Sequence, residues 1–357
     1  MRAEGQDGSA ASSGLERGPR SPGPIHIGVV IPFFQRQPGL LRRTLESVCG
    51  QNCLPQVHLH VVVVDDESPQ PADEDLQGLA LPQGVALTLI KQANGGPGVA
   101  RNTALDSFGA DIDYVAFVDS DDVWAPGHLS GALSAFGAGV DLFFSDHHRE
   151  DLFGSYLADQ QSKLDEMTQP AGASADLLVV KPDKSGIFML QVVPATSTVA
   201  YRWSGNARLR FKPHLRTAGE DHVFLLELVA AGATVGVSKA NTVLCGKGVN
   251  IYFDSLSWDQ PACLSRLAYR LNSFRLLRDI LARHDHDARA FIAQKTVTLE
   301  RLVALVAARG VAKRIPGFAP RVHEVAKSEP HFWWWTPKRL VEVGFLKMAG
   351  RFQLGNE

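Results

Sequence analysis

The segment Tyr114-Val115-Ala116-Phe117-Val118-Asp119-Ser120-Asp121-Asp122 decides how the rest of the chain reads. Its first five residues are an unbroken apolar run. Such runs suit a strand covered on both faces within a parallel sheet. The run stops at three carboxylates within four residues. Carboxylates so placed repel one another, and a divalent cation between them offsets that cost. Ligands in open α/β sheets bind beyond the carboxyl ends of the strands. An acidic turn capping the next helix is the plainer alternative.

The same pattern repeats upstream. Ile27-Gly28-Val29-Val30-Ile31 is a buried-strand run ended by Pro32. Leu41, Leu45 and Val48 then fall at helical spacing. Val61-Val62-Val63-Val64 stops at Asp65-Asp66, and Val85 to Ile90 reads as a third buried strand. A helix is expected from Gly98 to Phe108. Strands alternating with helices imply an α/β fold with right-handed crossovers and helices on both faces. After Ser145 the pattern loosens until Arg216. A helix then begins near Glu220, with Phe224, Leu225 and Leu228 on its core face. Further helices are expected over 264–281, 288–308 and 336–352. No internal repeat is visible.

The 357 residues are 45% apolar, enough for one large domain with an appendage. We expect a disordered leader over 1–24, rich in Gly, Ser, Ala and Pro, an α/β domain over 25–245, and a mainly helical region over 246–357. Net charge is only -2 but uneven: residues 264–357 carry 17 Lys and Arg against 8 Asp and Glu. An acidic body with a basic tail suits a metal site in the body and an anionic surface facing the tail. Basic helices that simply solvate the tail are the bland alternative. The acidic body, with no recognition motif, speaks against nucleic acid as a partner. Cys49, Cys53, Cys245 and Cys263 lack metal-ligand spacing and read as reduced thiols, the first two on one helix. No run of 18 apolar residues and no apolar signal core exist, so the expected location is cytoplasmic.

Three further stretches could carry chemistry. In Asp65-Asp66-Glu67-Ser68 a carboxylate at a strand end can accept from a base or ribose, or simply form an Asx-type turn. In Asn94-Gly95-Gly96-Pro97-Gly98-Val99-Ala100-Arg101-Asn102 the glycines allow close backbone approach before a helix start that favours anions. Arg101 could meet phosphate or sugar oxygens. The stretch is neither a Gly-x-Gly-x-x-Gly fingerprint nor a P-loop. Gly219-Glu220-Asp221 opens a helix, where a carboxylate could take a proton from an acceptor hydroxyl or serve as ordinary capping chemistry.

In this order and spacing the motifs resemble family 2 of the glycosyltransferases, with the Rossmann-like GT-A fold. Val29, Ile31-Pro32, Val64 to Ser68, Asn94 to Asn102, Asp119 to Asp122 and Gly219 to Asp221 carry the likeness, over about Ile25 to Gly236. The resemblance implies a nucleotide-diphospho-sugar donor. Pro32 and Phe33 would line the nucleotide pocket and Asp65 would contact the base, with Asp66, Asn94, Gly95, Arg101 and Ser120 also around the donor. Asp119 would bond ribose or sugar and share with Asp121 a Mg²⁺ or Mn²⁺ held against the pyrophosphate. Asp221 would be the general base, positioned by Glu220, in an inverting displacement. The expected setting is surface polysaccharide or envelope glycan synthesis, with a glycan or lipid-linked acceptor. Gln35, Thr103 and Gly246-Lys247-Gly248-Val249-Asn250 depart from the usual pattern; Lys247 could neutralise diphosphate charge.

His331-Phe332-Trp333-Trp334-Trp335, then Lys338-Arg339 and the stripe Val341, Phe345, Met348 and Phe352, fit peripheral contact with the inner membrane face through 331–352. A hydrophobic clamp onto the body fits them as well. Two other functions share these features. A nucleotidyltransferase would want a Gly-rich basic loop after the first strand, where Pro32-Phe33-Phe34-Gln35 stands instead. A non-catalytic nucleotide-sugar-binding module would not need the acids at 119, 121 and 221.

Overall fold

A computed structural model describes residues 23–54, 57–149, 154–171, 175–247, 257–281, 285–329 and 331–348. Most of the expected leader, the stretch 248–250 and the end of the tail stripe at Phe352 lie outside them.

The first half alternates strictly: β1 (Ile25–Phe33), α1 (Leu40–Cys49), β2 (Val57–Asp65), α2 (Ala72–Leu76), β3 (Val85–Lys91), α3 (Pro97–Asp106) and β4 (Tyr114–Phe117). These strands pair in parallel, in the order β3-β2-β1-β4. Their continuous apolar runs have a simple cause. Val29, Ile31, Val61 and Val63 face one apolar layer with α1, while Val30, Val62 and Val64 face the opposite layer with α3. Both faces of each strand are therefore wanted apolar. β3 differs from the expectation of a strand buried on both faces. It is the edge strand, and its burial alternates, with Ala86 and Thr88 exposed. Cys53 also falls outside the expected helix, because α1 ends at Cys49 and Gly50 caps it.

The stretch from Ser145 to Arg216 is far from structureless. After β5 (Val123–Trp124), α4 (His128–Gly137) and β6 (Leu142–Arg149) come α5 (Gln161–Met167), β7 (Thr168–Pro170), β8 (Leu177–Val180), α6 (Ser185–Gln191) and β9 (Val199–Arg202). α7 (Glu220–Ala230) and β10 (Val235–Cys245) complete the sheet, which continues β4-β9-β6-β10-β8-β7. β9 runs antiparallel to both β4 and β6, so the second half is mixed. β5, directly after the acidic turn, pairs with the end of β10.

The remaining helices are α8 (Pro261–Leu281), α9 (His286–Ala312), α10 (Phe318–Ser328) and α11 (Phe332–Met348). They add to an existing core: Leu271, Leu277 and Val303 join the same apolar cluster as Phe224 of α7 and Phe117 of β4. α11 is divided. Phe332, Trp335 and Val343 are buried, whereas Trp333, Trp334, Val341, Phe345 and Met348 are exposed. No helix among the described residues is long and apolar enough to cross a membrane.

Candidate active site

The acidic turn sits where β4 ends, at the centre of the sheet. The Asp122 amide donates to the Asp119 carbonyl at 3.0 Å, which closes the turn. Asp122 itself is buried and is spent on architecture. Its carboxylate accepts from the Gly246 amide at 2.8 Å and from the Ser197 hydroxyl, and its carbonyl accepts from Thr44 Oγ1 at 2.8 Å. Ser197 Oγ also accepts from the Asp119 amide at 2.9 Å, so one hydroxyl grips both ends of the turn. Burial, then Asp121 and Asp119, push the Asp122 carboxyl well above the usual carboxylate range. Asp119 and Asp121 are only half-buried. Both are thus reachable from solvent, unlike Asp122.

Arg101, expected near the donor, lies within the protein. It is 3% exposed and points inward, not toward open solvent. One terminal nitrogen donates to Asp119 Oδ1 at 2.7 Å and the other to Glu220 Oε1 at 3.4 Å. The guanidinium also lies over the Phe211 ring, 5.4 Å from its centroid. A planar, always-charged fork is suited to bridging two acids in this way. It ties the turn after β4 to the start of α7. Two glycines permit the approach. A Cβ on Gly98 would meet Glu220 Cγ at 3.3 Å. Gly219 takes a left-handed backbone (φ 86°) as the N-cap of α7 and lies against Ser273 of α8.

Glu220 is buried, and its pKa is pushed up to about 7, by burial first and by Asp221 second, against the pull of Arg101. Asp221 is more exposed, and its Oδ1 accepts from the His222 amide at 2.7 Å. The pair thus divides into an inner acid held by arginine and an outer acid beside it.

Asp65 and Asp66 form the third wall. Asp65 accepts from the Ser68 and Ala72 amides at 2.8 and 3.1 Å, so the Asx-type turn is present. Asp65 also lines an open cleft of ≈ 420 Å³ with Glu67, Ser68, Pro71, Lys91, Gln92 and Ala93. Asp66 accepts from the amides of Gly95 and Gly96, each at 2.8 Å, and from Gln92 Nε2 at 2.7 Å. It therefore shapes the glycine loop and does not face the cleft. Glu67 adopts a left-handed backbone (φ 58°), and its carboxylate accepts from the Asn94 amide at 3.1 Å.

Three more of the expected donor-site residues are buried. Phe33 is fully buried in the α1 layer, because the alternation of β1 turns it there. Ser120 is buried and accepts from Gln35 Nε2 at 3.0 Å. Pro32 is likewise buried, paired in register with Val64. Gln35, noted as a departure, is a buried tie between the ends of β1, β2 and β4: its amide also donates to Ser68 Oγ at 2.7 Å. Arg216 was missed altogether. It donates to the Asn94 carbonyl and side chain at 2.8 and 2.5 Å. Ser197 was missed too, since a lone serine among short irregular elements carries no sequence signal.

The Glycosyl transferase family 2 model matches residues 28–169, which hold the cleft and the acidic turn. The succinoglycan biosynthesis protein ExoW of Rhizobium meliloti (strain 1021) is 33% identical over 321 residues, covering 88% of this chain and 95% of that protein. The chain belongs to glycosyltransferase family 2. Among solved structures, residues 1–349 of S. aureus TarS in complex with UDP superpose with a TM-score of 0.54 at 17% identity, over 93% of this chain and 95% of that one. A longer TarS chain matches with a TM-score of 0.52 over 79% of this chain and 43% of its own length. The fold of this glycosyltransferase is therefore GT-A, with the helices α8–α11 as its C-terminal extension.

Proposed function

We propose that this glycosyltransferase moves a sugar from a nucleotide-diphospho-sugar to an acceptor hydroxyl, in a metal-dependent reaction that inverts the anomeric carbon, during polysaccharide synthesis. The observation that carries the reading is the Arg101 bridge. It sets half-buried acids at 119 and 121 beside the Glu220-Asp221 pair, at the edge where α/β sheets bind ligands. The donor set fits a hard divalent cation. Asp122 is buried against Ser197 and Gly246, whereas Asp119 and Asp121 are half-buried carboxylates, the oxygen donors such a cation takes. When bound, Mg²⁺ or Mn²⁺ neutralises charge on the departing nucleotide diphosphate.

The chain's own groups do the rest. Asp65, with the cleft around it, receives the base. The Asn94-Gly95 loop, braced by Asp66 and Arg216, presents backbone close to the donor. Lys247, exposed just past the Gly246 amide, adds positive charge to the diphosphate side. Asp221 accepts the acceptor's proton as its oxygen attacks the anomeric carbon in line, while the bond to the diphosphate oxygen breaks. Glu220, locked to Arg101, positions that base.

The test is a panel of nucleotide sugars, headed by UDP-GlcNAc because TarS has been solved with it, with Mn²⁺, Mg²⁺ or chelator. Asp121→Ala abolishes metal-dependent donor binding; Asp221→Asn keeps binding and loses transfer by about 10³-fold or more. Proton NMR of the product reads inversion. Absence of binding to any nucleotide sugar sinks the reading.

A second reading concerns α11. Its exposed Trp333, Trp334, Val341, Phe345 and Met348, beside Lys338 and Lys347, form an interfacial membrane face, while Phe332 and Trp335 clamp the helix to the body. Flotation with anionic liposomes, with and without residues 331–357, decides it; equal flotation ends it.

A further inference from the structure

At the edge of the sheet opposite the acidic turn, the amino ends of β1 and β2 bring imidazoles together. His26 lies beside His58 in register, and His60 lies two residues further along β2, so all three fall on one face. The His26 ring is 5.1 Å from both of the others, centroid to centroid. His26 Nδ1 is 2.8 Å from His60 Nε2, and the Asp111 carboxylate reaches to 4.0 Å from His26 Nδ1. One ligand atom each from His26, His60 and Asp111 lies within 4.8 Å of the others. The backbone holds this arrangement from outside: the His26 amide donates to Asp113 Oδ2 at 3.0 Å, and the Asp113 amide returns a bond to the His26 carbonyl at 2.9 Å. The turn carrying Asp111 is thereby fixed to β1.

We infer that His26, His60 and Asp111 form a second cation site, specific for a borderline divalent metal such as Zn²⁺. Two imidazole nitrogens and one carboxylate oxygen are donors that favour Zn²⁺ over the hard Mg²⁺ or Mn²⁺ of the acidic turn. Tetrahedral Zn²⁺ at about 2.0 Å from each nitrogen holds them about 3.3 Å apart. The imidazole pair therefore opens by about half an ångström, and the exposed Asp111 carboxylate closes in. His26 is 25% and Asp111 63% exposed at the side chain, so the site has an open path and leaves a fourth position for water. The metal joins β1, β2 and the turn that leads from α3 into β4. It staples the inner strands at the end remote from catalysis, and the site stands independently of the transferase reading.

The test uses full-length, tag-free protein stripped with chelator, titrated with Zn²⁺ by calorimetry in saturating Mg²⁺. One Zn²⁺ binds per chain, and Asp121→Ala leaves its affinity unchanged. His60→Gln and Asp111→Asn each weaken it about tenfold or more. The Asp111 side chain is largely exposed, so Asp111→Asn keeps the fold and remains decisive if His60→Gln misfolds. X-ray absorption at the zinc edge shows two imidazoles in wild type and fewer in His60→Gln. The proposal is overturned if no Zn²⁺ binds, if Asp111→Asn binds it as wild type does, or if Asp121→Ala removes it.

Discussion

At the carboxyl ends of β1, β2 and β4, acids share one buried guanidinium and a shell of amide donors. At the amino ends of β1 and β2, imidazoles meet an exposed carboxylate with water on one side. The same strands serve both edges, yet the energetics differ. Every inner acid of the first edge depends on a partner that is itself buried, so removing one group leaves another charge stranded. The second edge is made of groups that water can satisfy, so losing one costs little until a metal is bound. Arrangement of the partners, more than the number of charged groups, decides where the fold is brittle.

The largest effect expected from breaking this contrast is at Arg101. Arg101→Met strands Asp119 and Glu220, and destabilises by about 3–5 kcal/mol in denaturant unfolding. Asp111→Ala without zinc falls within about 0.5 kcal/mol. Comparable losses at the two positions would erase the distinction. Next comes Gly219→Ala. It forces a side chain into left-handed backbone and to within 2.6 Å of Ser273, at about 3 kcal/mol, with transfer falling because Glu220 and Asp221 shift. Unchanged thermal stability there would mean that α8 yields freely.

Acid supplies a third probe. His128 stacks on Trp124, just past the acidic turn, and burial lowers its pKa from 6.5 to about 3. Between those values the unfolded chain binds a proton that the folded chain does not, so stability falls as pH drops below about 6.5. At pH 5 this residue alone accounts for about 2 kcal/mol. His128→Phe should flatten the acid limb of a melting-temperature profile. His60→Gln, at the exposed edge, should leave most of it, and the reverse ranking would place the acid-sensitive point at the wrong end of the sheet.

How much of this the sequence discloses follows from the same physics. β1, β2 and β4 are legible because strands covered on both faces must be apolar throughout. α7 is legible because its apolar residues cluster after an acidic start. β7, β8 and β9 are three or four residues each and pair antiparallel, too short for any period to show. Of the site, the acids stand out as residue types, but their division of labour does not. Asp121 and Asp122 are neighbours of identical chemistry. Only the fold reveals that Ser197 and Gly246 have claimed the second. Nothing in the sequence discloses that Arg101 lies over Phe211 and pairs with Glu220.

The pairing of β5 with β10 has a practical consequence for anyone wishing to re-engineer the acidic turn of this enzyme. The acidic turn is anchored by Ser197 from before β9, by the Gly246 amide after β10, and by a two-residue ladder between Val123-Trp124 and Val243-Leu244. A loop swap of 119–122 alone would arrive without its fasteners. A transplantable cassette carries at least these segments, with Gln35, Thr44 and Arg101 kept to meet them, and a library that varies them together should yield working chimaeras where single-loop grafts fail.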